Sequence, residues 1–167
     1  QGMENGLYDW GFNTPNWSVS DKEGVNGLDF VSARDQRVNI DPERVIPGGC
    51  QDRTPCPIFN HYNRPESPVA VATGIEARLI EAESQLASGN AANWLTTLNL
   101  LRTTPQRYGT VSTNGTSPKS YPEDLNRPGF ADVVRPGLMP LADPGTAASR
   151  LNLHFRERAF WLFLTAH

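Results

Sequence analysis

LNLHFRERAFWLFLTAH, residues 151–167, decides how the rest of the chain must pack. Read with the residues before it, Ala147, Leu151, Phe155 and Leu162 recur at helical spacing. Asp143 offers an N-cap carboxylate, and Pro144 stands where a helix tolerates a missing N–H in its first turn. From Ala159 to Leu164 six apolar residues are consecutive, so on a helix they point in every direction. Six is far short of the roughly 20 needed to cross a bilayer. The expectation is therefore a buried C-terminal helix that requires neighbours on all sides. The stretch ends at His167 without a capping residue, and the chain starts at Gln1 without a methionine or signal peptide. That pattern predicts part of a larger α-helical protein, or a piece that packs against other chains.

The composition sets the remaining bounds. The chain has 167 residues, a length for one domain or part of one. Hydrophobic residues make up only 38%, while Gly and Pro number 14 each, which favours loops over regular elements. The formal net charge of −3 gives no bulk attraction for nucleic acid or for an anionic membrane.

Thr73 opens the clearest helix. Thr73-Gly74-Ile75-Glu76 has the form of a capping box; Ile75, Leu79, Ala82 and Leu86 make one stripe that Ala77 and Ile80 widen; Gly89 is the stop. Glu76, Glu81 and Glu83 read as a cap and a solvated face rather than as catalytic carboxylates. A second helix follows the turn at Gly89-Asn90, marked by Trp94, Leu95, Leu98 and Leu101 and ending near Arg102, before Pro105. Helices joined this closely are antiparallel neighbours. Residues 103–144 then carry prolines at 105, 118, 122, 128, 136, 140 and 144, and read as a long irregular insertion. The predicted organisation is a loop-rich segment over 1–72 and a helical-repeat segment over 73–167.

Within the first segment, Tyr8, Trp10, Phe12 and Trp17 lie among Gly, Asn, Asp and Ser with no sustained period. Such rings either anchor a loop onto a core or present a surface to a ligand; anchoring is the commoner case. Asp21, Glu23, Asn26 and Asp29 supply oxygens but miss the spacing of a calcium loop. Arg34, Asp35 and Arg37 read as an arginine–carboxylate network pinning a turn. Residues 41–68 read as loop throughout. Cys50 and Cys56, in GGCQDRTPCP, suit a disulfide-closed loop and also a free pair. The disulfide is favoured because a polar loop flanked by Gly and Pro is the kind that oxidising compartments staple, which places the protein outside the cytoplasm. Zinc is disfavoured, since no second cysteine pair exists and His61 stands alone.

A helical hairpin, a long insertion and a further helix together have the layout of a decorated tetratricopeptide-like repeat. Here the residues resemble a family. GIEARLIEAESQLASGNAANWLTTLNLLR (74–102) resembles the "AEa-L-AEA" helix and its partner in RagB/SusD-like nutrient-uptake outer-membrane proteins. FVSARDQRV (30–38) is similar to the "RDpR" segment that precedes it in that family. LHFRERAFWLFLTAH (153–167) resembles the "ERa-El-EG-R" helix in its FRERAFW variant. The motifs stand in the family's order, from about Phe30 to His167.

The resemblance implies a mainly α-helical lipoprotein much longer than this chain, anchored at the extracellular face of the outer membrane. It implies a lid on a TonB-dependent transporter that binds oligosaccharides or other nutrients, needs no cofactor and performs no chemistry. Tyr8, Trp10, Trp17 and Tyr121 are then the candidate ligand-binding rings, stacking on sugar faces beside Asn, Asp and Arg donors and acceptors. The residues themselves offer no phosphate-cradling glycine loop, no metal-ligand spacing and no nucleophile motif, and His154 lies on the core helix as a packing histidine. The second expectation is a structural or protein-interaction module that self-assembles or packs with other chains.

Overall fold

The computed structural model describes residues 6–8, 19–25, 27–38, 40–41, 58–59, 72–111, 119–121, 130–135 and 137–163. Its described residues are mainly α-helical, as the sequence predicts. They fall into two compact units, one over Gln1–Val69 with Phe163, the other over Ala70–Leu162.

In the first unit, Val19 is buried against Tyr8, Phe30, Val31 and Phe163. The rings of Phe30 and Phe163 stand 5.0 Å apart at a 45° tilt, within the separation at which aromatic rings attract one another. Asp21 closes a turn here. One of its carboxylate oxygens accepts from the Val31 amide at 3.0 Å and from the Ser32 amide at 2.9 Å. The backbone hydrogen bond from Ser32 is the main cause holding this carboxyl below its ordinary value. Asp35 grips Arg37 with both oxygens, at 2.9 Å to Nε and 2.7 Å to a terminal nitrogen, and also accepts from the Arg37 amide. Asp35 and Arg37 thus pin the turn as expected of the cluster, whereas Arg34, its third member, is exposed at a φ of 48°. A single helical turn, α1 (Gly6–Tyr8), and an antiparallel pairing of β1 (Ile40–Asp41) with β2 (Ile58–Phe59) complete the described parts. The pairing corrects the reading of residues 41–68 as loop throughout.

The second unit is built on a hairpin of α2 (Gly74–Ala87) and α3 (Ala91–Thr103). Thr73 caps α2 with its hydroxyl accepting from the Glu76 amide at 3.1 Å. The helix stops as the sequence requires. Gly89 takes a left-handed φ of 80°, its amide donates to the Leu86 carbonyl, and the Asn90 amide reaches back to Gln85 at 2.8 Å. This paired arrangement satisfies carbonyls that the last turn leaves free, and it needs the glycine at that φ. Asn90 then caps α3 by accepting from Asn93. Leu79 and Ala82 of α2 meet Trp94 and Leu98 of α3 in a core that Ile75, Leu86, Leu95 and Leu101 flank. Ile80 and Ala77 instead face solvent, so the stripe is narrower than predicted.

Helix α4 spans Ala147–Trp161, and here two expectations fail. The cap is Thr146, whose hydroxyl accepts from Ser149, not Asp143. Asp143 lies ahead of the helix, accepts from the Gly145 amide and pairs with Arg150 through both oxygens at 2.7 and 2.8 Å. More consequentially, the stripe read as core is outside: Leu151 is 47% and Phe155 50% exposed. The buried positions are His154, Glu157, Phe160 and Trp161, about 100° round the helix from the predicted face. Two of those four are polar, so a search for recurring apolar residues settles on the wrong stripe. The apolar run at 160–164 needs no helix buried all round, because α4 ends at Trp161 and Phe163 packs with Phe30. Only one face of α4 is buried.

The insertion over 103–144 is not irregular throughout. β3 (Gln106–Val111) lies between β4 (Lys119–Tyr121) and β5 (Phe130–Arg135) in a three-stranded antiparallel sheet. Gln106 stands opposite Arg135, and Gly109 opposite Tyr121. In sequence, the prolines at 105, 118, 122 and 136 directly adjoin these strands. After β5 the chain runs along the end of α3. Leu138 donates to the Arg102 carbonyl at 2.6 Å, and the Leu141 amide and carbonyl bind the two ends of the Asn99 amide at 2.7 and 3.1 Å. Gly137 lies so close to the Thr103 backbone that a Cβ there would collide with its carbonyl.

Candidate functional site

A buried polar seam joins α4 to the hairpin. Helical spacing puts His154, Glu157 and Trp161 on one side of α4, and that side meets Trp94 and Arg102 of α3 and Glu83 of α2. His154 has no exposed surface. Its Nδ1 accepts from the Trp94 indole N–H at 3.3 Å, which fixes the neutral ring with its proton on Nε2. Nε2 points at Glu83, but the carboxylate is 3.7 Å away and forms no hydrogen bond with it. Glu83 is held instead by Arg158 at 2.6 Å. Burial pushes the His154 pKa below its ordinary 6.5, with Glu83 opposing that shift in part.

One turn further along, Glu157 is only 2% exposed and accepts from Arg102 at 2.7 Å, while Arg102 Nε donates to the Met139 carbonyl at 2.9 Å. A carboxylate this deep requires a cation beside it, because desolvation without one costs several kcal/mol. The Glu83 carboxylate, expected on a solvated face, is thus turned towards α4. Glu81 is the solvated one, paired with Arg78 on the surface. The sequence does carry a signal for the seam. Once Phe160 and Trp161 are taken as buried, Glu157 and His154 fall on the same face, and each then needs a partner.

Of the rings predicted to bind ligand, Tyr8 and Tyr121 lie among the described residues, in different units. Tyr8 is half-buried in the Val19 cluster, as a core anchor. Tyr121 lies on β4, its backbone paired with Gly109. Trp10, Trp17, Cys50 and Cys56 lie outside the described residues. Asp21 of the polar cluster at 21–29 is committed to the 31–32 turn. Among the described residues no three His, Cys, Asp or Glu side chains converge as a metal site, and no helix is long and apolar enough to cross a membrane. Comparison with protein-family models, with curated proteins and with solved structures finds no match to this chain.

Proposed function

We propose that this chain is a non-catalytic binding component of an outer-membrane nutrient-uptake system. It acts at the extracellular face with a TonB-dependent transporter and takes an oligosaccharide or other nutrient as ligand. One observation carries the reading: residues of the three family-like motifs make structural ion pairs, one pinning the turn at 35–37 and two joining α4 to the hairpin. Asp35 grips Arg37 in the first, and Glu83 of the second meets Arg158 of the third. Arg102 and Glu157 join the second and third again. Motifs spent on scaffold leave ligand recognition to loop aromatics, with Trp10 and Trp17 ahead of Tyr121. Tyr8 is the weakest of the four because its ring already serves the Val19 cluster.

The test is a glycan-array screen of the intact protein followed by titration of Trp10→Ala and Trp17→Ala. A sugar stacked on an indole gains about 0.5–1.5 kcal/mol beyond area burial, so each loss weakens binding by up to roughly tenfold. Binding unchanged by both substitutions refutes the choice of residues. A second reading, a protein-interaction module, is favoured by the apolar side chains Leu151 and Phe155 standing one turn apart and half exposed on α4. Absence of glycan binding, with stable self-assembly or co-purification of one protein, decides for it.

A further inference from the structure

We propose that His154 is an acid-operated latch that holds α4 on the α2–α3 hairpin and releases it as the pH falls below neutral. The geometry points there from three sides. From α3, Trp94 presents an indole N–H to Nδ1, a bond that exists only while that nitrogen keeps its lone pair. From α2, the carboxylate nearest Nε2 is Glu83, at 3.7 Å. From α4 itself, Arg158 neutralises Glu83 at 2.6 Å, and the Phe155 ring stands edge-on to the imidazole at 5.6 Å. Among the described residues, Glu83 and Arg158 are the charged groups facing the ring, and their charges cancel.

A proton added to His154 therefore does two things in a site with no exposed surface. It sets an Nδ1–H against the Trp94 N–H, donor to donor, and it leaves one positive charge with no free counter-charge. Both are relieved when α4 swings away and the imidazolium reaches water. Burial already holds the docked ring's pKa below the 6.5 of a solvated imidazole. Between those two values the released state binds the proton and the docked state does not. Docking is thus complete above about 6.5 and weakens as the pH drops, by at most tenfold in the opening equilibrium per pH unit for one proton.

The sequence contains three histidines, so ring NMR of the unmodified chain from pH 8 to 5 can follow each. One should titrate below 6.5 with the Trp94 indole N–H moving at the same midpoint. Hydrogen exchange over that range should show α4 losing protection relative to α2. His154→Gln keeps an acceptor for Trp94 and a donor towards Glu83 but cannot take the proton, so its α4-to-α2 protection ratio should be independent of pH. Three histidines all titrating near 6.5, α2 and α4 opening in step, or an undiminished pH response in His154→Gln would each overturn the latch. If that variant does not fold, the NMR titration and exchange of the unmodified chain decide the matter alone.

Discussion

Arg102 carries more of the structure than its place at the end of α3 suggests. It neutralises Glu157, which is 3% exposed at its side chain, and it also ties the Met139 carbonyl to the helix. Arg102→Leu should cost about 3–5 kcal/mol in denaturant unfolding, because it strands a buried carboxylate. Changing both, Arg102→Leu with Glu157→Leu, should cost much less than Arg102→Leu alone; a loss equal to the sum of the two single changes would mean the pair is not coupled. Asp143 shows the exposed counterpart. The hydrogen bond from Arg150, then that from Gly145, holds its carboxyl at about 2 instead of 3.8. Its depressed value makes its contribution complete above 3.8 and lost as the pH falls towards 2. Arg150→Ala should bring the Asp143 titration, followed by carboxyl NMR, back towards 3.8, and an unmoved midpoint would discount the pair.

At the scale of elements, what the sequence revealed depended on whether local chemistry alone fixed the answer. The limits of α2 are set by Thr73 at one end and Gly89 at the other, each acting within a few residues, so both were legible. Thr73→Ala should accordingly cost about 1 kcal/mol, read as a lower urea midpoint, and no change would remove the cap from the account. Helix α4 was legible as a helix but not in its orientation. Its buried face carries His154 and Glu157, polar residues whose burial depends on Trp94 and Arg102 some 60 and 55 positions away in sequence. Tertiary partners decided that face, and periodicity cannot see them. The sheet was hidden for a different reason: prolines at 105, 118, 122 and 136 suggested disruption, whereas in sequence they directly adjoin the strands. Of the candidate ligand-binding rings, Tyr8 illustrates how little an aromatic in a polar segment declares, since it serves a core as readily as a surface.

At the scale of the whole molecule, the second unit is a helical hairpin completed by a third helix, and the proposed functions differ in what they ask of that helix. A nutrient-binding protein uses α4 as scaffold, with its seam inward; an interaction module uses its outer stripe. Both require the same packing: His154, Glu157, Phe160 and Trp161 inward, Leu151 and Phe155 outward. The most direct test of that packing compares denaturant unfolding of Trp161→Ala and Phe155→Ala in the intact chain. With Trp161 8% and Phe155 50% exposed, the first should lose about 3–5 kcal/mol and the second about 1 kcal/mol or less. The reverse order, with Phe155→Ala the costlier change, would put the 147–151–155 stripe in the core and contradict the docking of α4 described above.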